Sequence, residues 1–306
     1  NFLSYFVRAQ YILNDKYFVK GSVRRDGSSR FGSNRRFGTF PAGSIGWIVS
    51  EEDFLKSSNS FSFLKLRASY GVLGNSEIGN FPSRFLFGGV SYNQRPGLAP
   101  TQPGNNDLTW ETSKQFDIGI EFGILDSKIS GELDFYSKNT DGLLFSVPLP
   151  GSSGAADINR NIGNLKSNGI ELTLQTENIT TENFTWTTSL NLATNQNEIS
   201  ALPNDNSDII SGRNINRVEE SISSFYMPQY AGVDPNTGDA LYYINGDGGE
   251  GITTNVNEAE RVILGNPFPD LTGGITNEFT YKEFSLNFTF MGERGARIYN
   301  SAGRFQ

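Results

Sequence analysis

The 306 residues carry 25 lysines and arginines against 33 aspartates and glutamates, a net charge of −8. That balance excludes nucleic acid as a partner, because no basic stretch could neutralise a phosphate backbone. With no cysteine and no histidine, disulfides, thiolate or imidazole metal sites and histidine-based hydrolases are excluded as well.

No run approaches the roughly 18 consecutive apolar residues of a membrane helix, so a helical membrane protein is excluded too. What the chain carries instead is an alternation of apolar and polar residues, which places the two sets on opposite faces of a strand. The first strand covers about Leu3 to Leu13, and Asn14-Asp15 turn the chain. The second runs from Lys16 to Arg25, with Tyr17, Val19 and Val23 opposite Lys20, Ser22 and Arg24. A polar loop, Asp26 to Arg36, leads to a third strand from Phe37 to Val49, in which Pro41 implies an edge, a bulge or a bend. Ser50 to Ser60 is a connector with room for one helical turn, and a fourth strand follows from Phe61 to Leu73.

A loop rich in Gly, Pro and Asn occupies Gly74 to Ser113. The fifth and sixth strands form the clearest hairpin, residues 114–138. There Phe116, Ile118, Ile120, Phe122 and Ile124 alternate with Gln115, Asp117, Gly119, Glu121 and Gly123. The chain turns at Asp126-Ser127, and Ile129, Leu133 and Phe135 alternate with Ser130, Glu132 and Asp134. The next loop, Asn139 to Ser167, contains an extended stretch, LLFSVPLPGSSG. The seventh and eighth strands are Asn168 to Asn178 and Asn183 to Thr194, with Ile170, Leu172, Leu174, Phe184, Trp186, Leu190 and Leu192 as outward sets. The longest insertion is Asn195 to Asp270. The ninth and tenth strands, Leu271 to Tyr281 and Phe284 to Gly292, close around Lys282-Glu283.

Odd-to-even connections are short, and even-to-odd connections, the first excepted, are long. A soluble β-sandwich alternates too, but its loops need not sort by length onto one end. The expected fold is therefore all-β: an antiparallel transmembrane β-barrel with short periplasmic turns and long extracellular loops. Loops this long suit the largest plugged barrels, of about 22 strands. The first residues already read as strand and the last as loop, so residues 1–306 are expected to be a barrel domain partial at both ends.

Several stretches resemble the SusC/RagA type of TonB-dependent outer-membrane transporter. They are SVRRDGSSRFG (Ser22 to Gly32), FGTFPAGSIGWIVSEEDFL (Phe37 to Leu55) and LKLRASYGVLGNSEIGNFPS (Leu64 to Ser83). GLAPTQPGNNDLTWETSKQFDIGIEFG (Gly97 to Gly123), SVPLPGSSG (Ser146 to Gly154) and NIGNLKSNGIELTL (Asn161 to Leu174) continue the match. YAGVDPNTGDALYY (Tyr230 to Tyr243) and LGNPFPDLTGG (Leu264 to Gly274) complete it. The resemblance implies a longer protein with an amino-terminal plug, neither plug nor final strands being contained in this stretch. It implies residence in the outer membrane of a Gram-negative bacterium, in contact with the lipid bilayer. It also implies import of oligosaccharides, or in some cases peptides, beneath a SusD-like surface lipoprotein. Energy would come through the TonB-ExbB-ExbD complex, which contacts the amino-terminal region. No cofactor and no catalysis are expected. The rival readings are a passive porin or adhesin barrel, and a secreted β-rich carbohydrate-binding module or hydrolase.

Candidate site residues fall into three groups. Asp117, Glu121, Glu132, Asp134, Glu171 and Glu177 would line the lumen as a hydrated acidic wall. Paired carboxylates also serve glycoside hydrolysis, but six of them on successive lumenal positions fit a wall better. Tyr92, Trp110, Phe225, Tyr226, Tyr230, Tyr242 and Tyr243 are loop aromatics able to stack on a ligand, or else to pack within the loops or against the lipoprotein. Where the family often carries a calcium-like Asp-x-Asn-Gly-Asp-Gly run, this chain has Tyr243 at the first acidic position. Asn245, Asp247 and Glu258 are the ligands such a site would use, and a glycine-rich turn is the simpler reading. Asp234 to Asp239 likewise reads as a turn.

Overall fold

The computed structural model describes residues 1–56, 60–246, 248–249 and 251–301. Ten strands form one antiparallel sheet in chain order: β1 (Phe2–Leu13), β2 (Tyr17–Ser28), β3 (Phe37–Ile48), β4 (Phe61–Asn75), β5 (Glu111–Ile124), β6 (Ile129–Asp141), β7 (Asn164–Thr180), β8 (Phe184–Ala201), β9 (Leu271–Tyr281) and β10 (Phe284–Arg294). Each pairs with its sequence neighbours, so the sheet is a continuous meander with β1 and β10 at its two edges. All ten expected strands are present, most of them a few residues longer than the alternation indicates.

The connections sort by end. Residues 14–16, 49–60, 125–128, 181–183 and 282–283 close one end; 29–36, 76–110, 142–163 and 202–270 crowd the other. The tight turns use left-handed backbone: Asn14 and Asp15 have φ of 52° and 56°, Leu125, Asp126 and Ser127 have 53°, 56° and 63°, and Lys282 has 55°. Two consecutive positive φ values give the turn a twist that matches the strands it joins. The connector after β3 holds the expected single turn as a 3₁₀ segment, Val49–Glu51. Pro41 pairs with Val23 of β2, while β4 joins β3 only from Ala42 onward. The proline thus stands where β3 is locally an edge, the place a residue without an N–H is tolerated.

Register carries the apolar set across the wall as horizontal rows. Ile45, Ala68, Ile118, Phe135 and Ile170 stand opposite one another, as do Trp47, Leu66, Ile120, Leu133, Leu172 and Leu192. These side chains are largely exposed, Ile45 at 62%, Ile118 at 47% and Ile170 at 50%. A contiguous apolar face of that extent is incompatible with water and suits lipid. Near the short-turn end lies an aromatic belt: Trp186 stacks on Phe279 at 5.5 Å, Phe279 on Phe288 at 5.8 Å, and Tyr17 on Trp47 at 6.4 Å. The Trp186 indole donates to Asn277 Oδ1 at 3.0 Å, so an apolar body and a satisfied polar tip meet there, as interfacial aromatics require.

The buried hydrophobic residues sit mainly outside the wall. Phe31, Phe40, Leu108 and Trp110 form one core at the long-loop end, and Ile199, Leu202 and Ile215 are buried there too. The long loops contain short ladders that weak alternation had concealed. Leu86–Tyr92 pairs with Arg95–Gln102, and Leu144–Pro148, within the expected extended stretch, pairs with Asp157–Asn161. Residues 202–270 fold into a four-stranded and a three-stranded sheet.

Candidate functional site

On the opposite face of the wall, register assembles charge. Arg67, Gly119, Asp134 and Glu171 lie level on β4, β5, β6 and β7, and one step along Lys65, Glu121 and Glu132 do the same. Glu121 and Glu132 are direct cross-strand partners, a like-charge arrangement that destabilises a sheet unless compensated. Arg67 supplies the compensation: it pairs with Glu132, with Asp134 Oδ2 at 2.6 Å and with Glu121 Oε1 at 3.4 Å. Lys65 Nζ reaches Glu121 Oε1 at 2.7 Å. Asp117 accepts from Ser69 Oγ at 3.0 Å and Gln115 Nε2 at 2.8 Å.

The face on which β5 to β7 place the expected acids is thus an ion-pair lattice, with Lys65 and Arg67 of β4 set among the carboxylates. Glu177 lies apart from it, opposite Thr187. Lys65 and Arg67 alternate with Leu64, Leu66 and Ala68, so the parity of β4 already assigned them to this face. Lys20 of β2, level with Ser44 and Ser69, lines one recess with Lys65 and Arg67, and with Arg8 of β1 it lines the next.

The loop aromatics divide. Trp110 is buried at 6% exposure, its ring packed against Phe31 at 5.2 Å and Phe40 at 5.3 Å, and its indole donates to the Arg36 carbonyl at 3.0 Å. It offers no face to a ligand, which corrects the stacking role considered for it; packing inside the loops is what it does. Tyr226 is sandwiched in the long loop, with Arg261 4.8 Å and Arg217 5.8 Å from its ring. Phe225 and Tyr243 are half-buried in short strands of the same loop. Tyr230, 56% exposed, meets the half-buried Tyr242 edge-on at 6.4 Å. The Tyr92 side chain lies outside the described part of the structure.

Glycines set the turn at the calcium-like run, Gly246, Gly248 and Gly251 having φ of 84°, 81° and 95°. Asp247 lies outside the described residues. Both Glu258 oxygens are taken by neighbours, Oε2 by Thr253 Oγ1 at 2.8 Å and Oε1 by Asn255 Nδ2 at 3.1 Å. Among the described residues no three acidic side chains converge on a metal position. Asp234 to Asp239 is the expected turn: Asp234 accepts from the Asn236 N–H through Oδ1 at 2.8 Å and from the Gly238 N–H through its carbonyl at 2.9 Å.

Two polar clamps stand outside the wall's span. In the long loop the Arg217 guanidinium grips both Asp208 oxygens, its Nη2 lying 2.7 Å from Oδ2, and this hydrogen bonding holds the Asp208 carboxyl below its usual range. At the short-turn end, Glu52 receives Tyr17 Oη at 2.6 Å, Trp47 Nε1 at 3.0 Å and Lys16 Nζ at 3.3 Å. The bonds from Tyr17 and Trp47, then Lys16, depress the Glu52 carboxyl.

Comparison with known proteins places this geometry. Residues 1–261 match the family model for the TonB dependent receptor-like β-barrel. TonB-dependent receptor P39 of Formosa agariphila is 36% identical over 97% of this chain and 33% of its own length. TonB-dependent receptor SusC of Bacteroides thetaiotaomicron is 32% identical over 97% of this chain and 31% of its own. The RagAB peptide importer in its closed-closed state superposes with a TM-score of 0.86 at 32% identity, over 96% of this chain and 33% of that one. The chain thus spans about a third of the length of the relatives it matches.

Proposed function

The chain belongs to the TonB-dependent receptor β-barrel family, of the SusC/RagA type, and sits in the outer membrane of a Gram-negative cell; from that premise we propose that it forms part of the barrel wall of an active nutrient importer. The cargo is an oligomer, either oligosaccharide or peptide, captured at the long loops and passed through the lumen. No bond in the cargo is made or broken. A SusD-like lipoprotein covers the loop end, and TonB-ExbB-ExbD acts through a plug that lies outside residues 1–306, as do the remaining strands.

The observation that supports this most is the two-sided wall. Its outer rows are apolar and lipid-compatible, its inner rows are charged, and its three longest loops, 76–110, 142–163 and 202–270, stand at one end. A passive pore shares the wall but not the coupling to energy.

The test uses the full-length gene. Cells with and without it would be fed fluorescent oligosaccharide and fluorescent peptide pools, in the presence and absence of a protonophore. Gene-dependent uptake that the protonophore abolishes supports the importer. Gene-dependent uptake indifferent to the protonophore would replace it with a passive barrel.

A further inference from the structure

The lipid-facing side of the wall carries a polar interruption near its short-turn end. Thr176 of β7, Thr188 of β8 and Asn277 of β9 stand level, one outward step below Leu174, Leu190 and Ile275. They lie at the depth of the aromatic belt, where Trp186 is the next outward residue of β8. Phe288 of β10 is level with Asn277, and Ile275 and Phe279 flank it along its own strand. A register shift between Glu177 and Ile179 bulges Asn178 out of the pairing beside this row.

Hydrogen bonds join these side chains into one directed ladder across three strands. Thr176 Oγ1 donates to Asn178 Oδ1 at 2.9 Å, Asn178 Nδ2 to Thr188 Oγ1 at 2.7 Å, and Thr188 Oγ1 to Asn277 Oδ1 at 2.8 Å. The Trp186 indole donates to the same Asn277 oxygen at 3.0 Å. Both hydroxyl hydrogens and the indole hydrogen are thereby used, and Asn277 Oδ1 has filled both its lone pairs. The ladder ends in a donor, the NH₂ group of Asn277, which has no partner among the described residues. Set among Ile275, Phe279 and Phe288, an unpaired amide is costly. Toward the turn, Lys282 Nζ lies 5.6 Å from the ring of Tyr281, an outward residue that is 54% exposed. Lys282 has no carboxylate in ion-pair range among the described residues.

We propose that this ladder is a headgroup site for a phospholipid of the periplasmic leaflet, the leaflet at the short-turn end. The lipid's ester carbonyl accepts from the Asn277 NH₂, its phosphate meets Lys282, and its acyl chains lie along Ile275 and Phe290. Phosphate diesters and ester carbonyls only accept hydrogen bonds, which complements a surface left with donors and a cation. The order in depth is also that of a lipid. From the turn toward the middle of the wall come Lys282, then Asn277, then the level pair Ile275 and Phe290. A second copy of the chain is disfavoured as the occupant by the same inventory. In a two-fold contact each patch meets itself, so donor would face donor and lysine would face lysine. The inference rests on the outward face of the wall and is independent of what the barrel imports.

Delipidated full-length receptor in detergent would be titrated with dioleoyl phosphatidylglycerol and with its dialkyl ether analogue, which keeps the phosphate but has no ester carbonyl. Native mass spectrometry counts the bound lipid. The wild type should bind the diester about fivefold more tightly than the diether, the contribution of one neutral hydrogen bond. Asn277→Asp keeps the oxygen that Trp186 and Thr188 bond and exchanges the NH₂ for an acceptor, so it should erase that preference. Lys282→Gln, in an exposed turn, should weaken both lipids alike, and it keeps the proposal testable if Asn277→Asp fails to fold. Arg35→Gln, in the loop after β2, removes the same charge and should change neither. Equal affinity of the wild type for diester and diether overturns the site. So does an undiminished preference in Asn277→Asp, or wild-type binding of both lipids by Lys282→Gln. A dimer of the delipidated receptor that Asn277→Asp disperses would also overturn it, making the ladder a contact between copies.

Discussion

Arg67 and Asp134 meet across an intervening strand, because the residue level with both of them on β5 is Gly119. Arg67 Nε and Asp134 Oδ1 are buried there without hydrogen-bond partners, facing the space a side chain would fill. A Cβ on Gly119 would collide with Asp134 Oδ1 and come within 2.7 Å of Arg67 Nε. The missing side chain is what lets one cation reach carboxylates on two strands.

Gly119→Val is accordingly expected to destabilise the barrel by about 1–3 kcal/mol, the usual range for overpacking. It does so despite the favourable strand propensity of valine. Gly21→Val, at a position with nothing within 4 Å of the added atom, should be neutral or slightly stabilising. Urea unfolding of the full-length protein in detergent micelles compares the two, and equal effects would remove the steric account.

Arg67→Gln leaves Glu121, Glu132 and Asp134 facing one another with Lys65 as their remaining counter-charge. Because the Arg67 side chain is 34% exposed and water screens the group, a loss of about 1–2 kcal/mol is expected. Asp134→Asn made in the Arg67→Gln background should cost less than in the wild type, or stabilise, since it removes an unpaired charge. A double-mutant cycle by the same unfolding measurement gives the coupling, and strict additivity would show that the pair is not energetically linked.

The depressed Glu52 carboxyl ties stability to pH. Its folded-state value lies below its unfolded value, so the carboxylate's contribution is complete above the ordinary glutamate range, about 4.3. It is lost as pH falls through the lower folded value. Glu52→Gln should therefore lower the melting temperature at neutral pH and bring variant and wild type together in acid. Parallel melting curves from pH 7 downward test this; a constant gap at every pH would assign the effect to packing alone.

Trp110 anchors the loop end through packing and one indole hydrogen bond. Trp110→Ala is expected to loosen residues 76–110 by about 3–5 kcal/mol, as for a large aromatic removed from a core. Trp110→Phe should retain most of the packing and lose only the bond to Arg36. Limited proteolysis of the loop ranks the variants. Ligand binding that falls equally in both, with the loop still protease-resistant, would restore a direct contact role to the indole.

The alternation in the sequence determined the strands, the pairing across the four tight turns and the face each side chain takes. That follows from locality: a period of two assigns faces strand by strand, and a turn of two to four residues leaves no neighbour for a strand but the next one. It also assigned Lys65 and Arg67 to the lumen, although the acids on β5 to β7 were read there without them. What the tertiary structure alone decided depends on register between residues far apart in the chain and on packing among irregular loops. Arg67 finds Asp134 only because Gly119 falls level with both. Trp110 is buried only because Phe31 and Phe40, from the β2–β3 region, fold over it. Asn195, Asn197 and Asn266 come together with Glu220 and Asp270 only when three separate segments close one cleft. No local period encodes such meetings, since each is fixed by the summed geometry of the segments between.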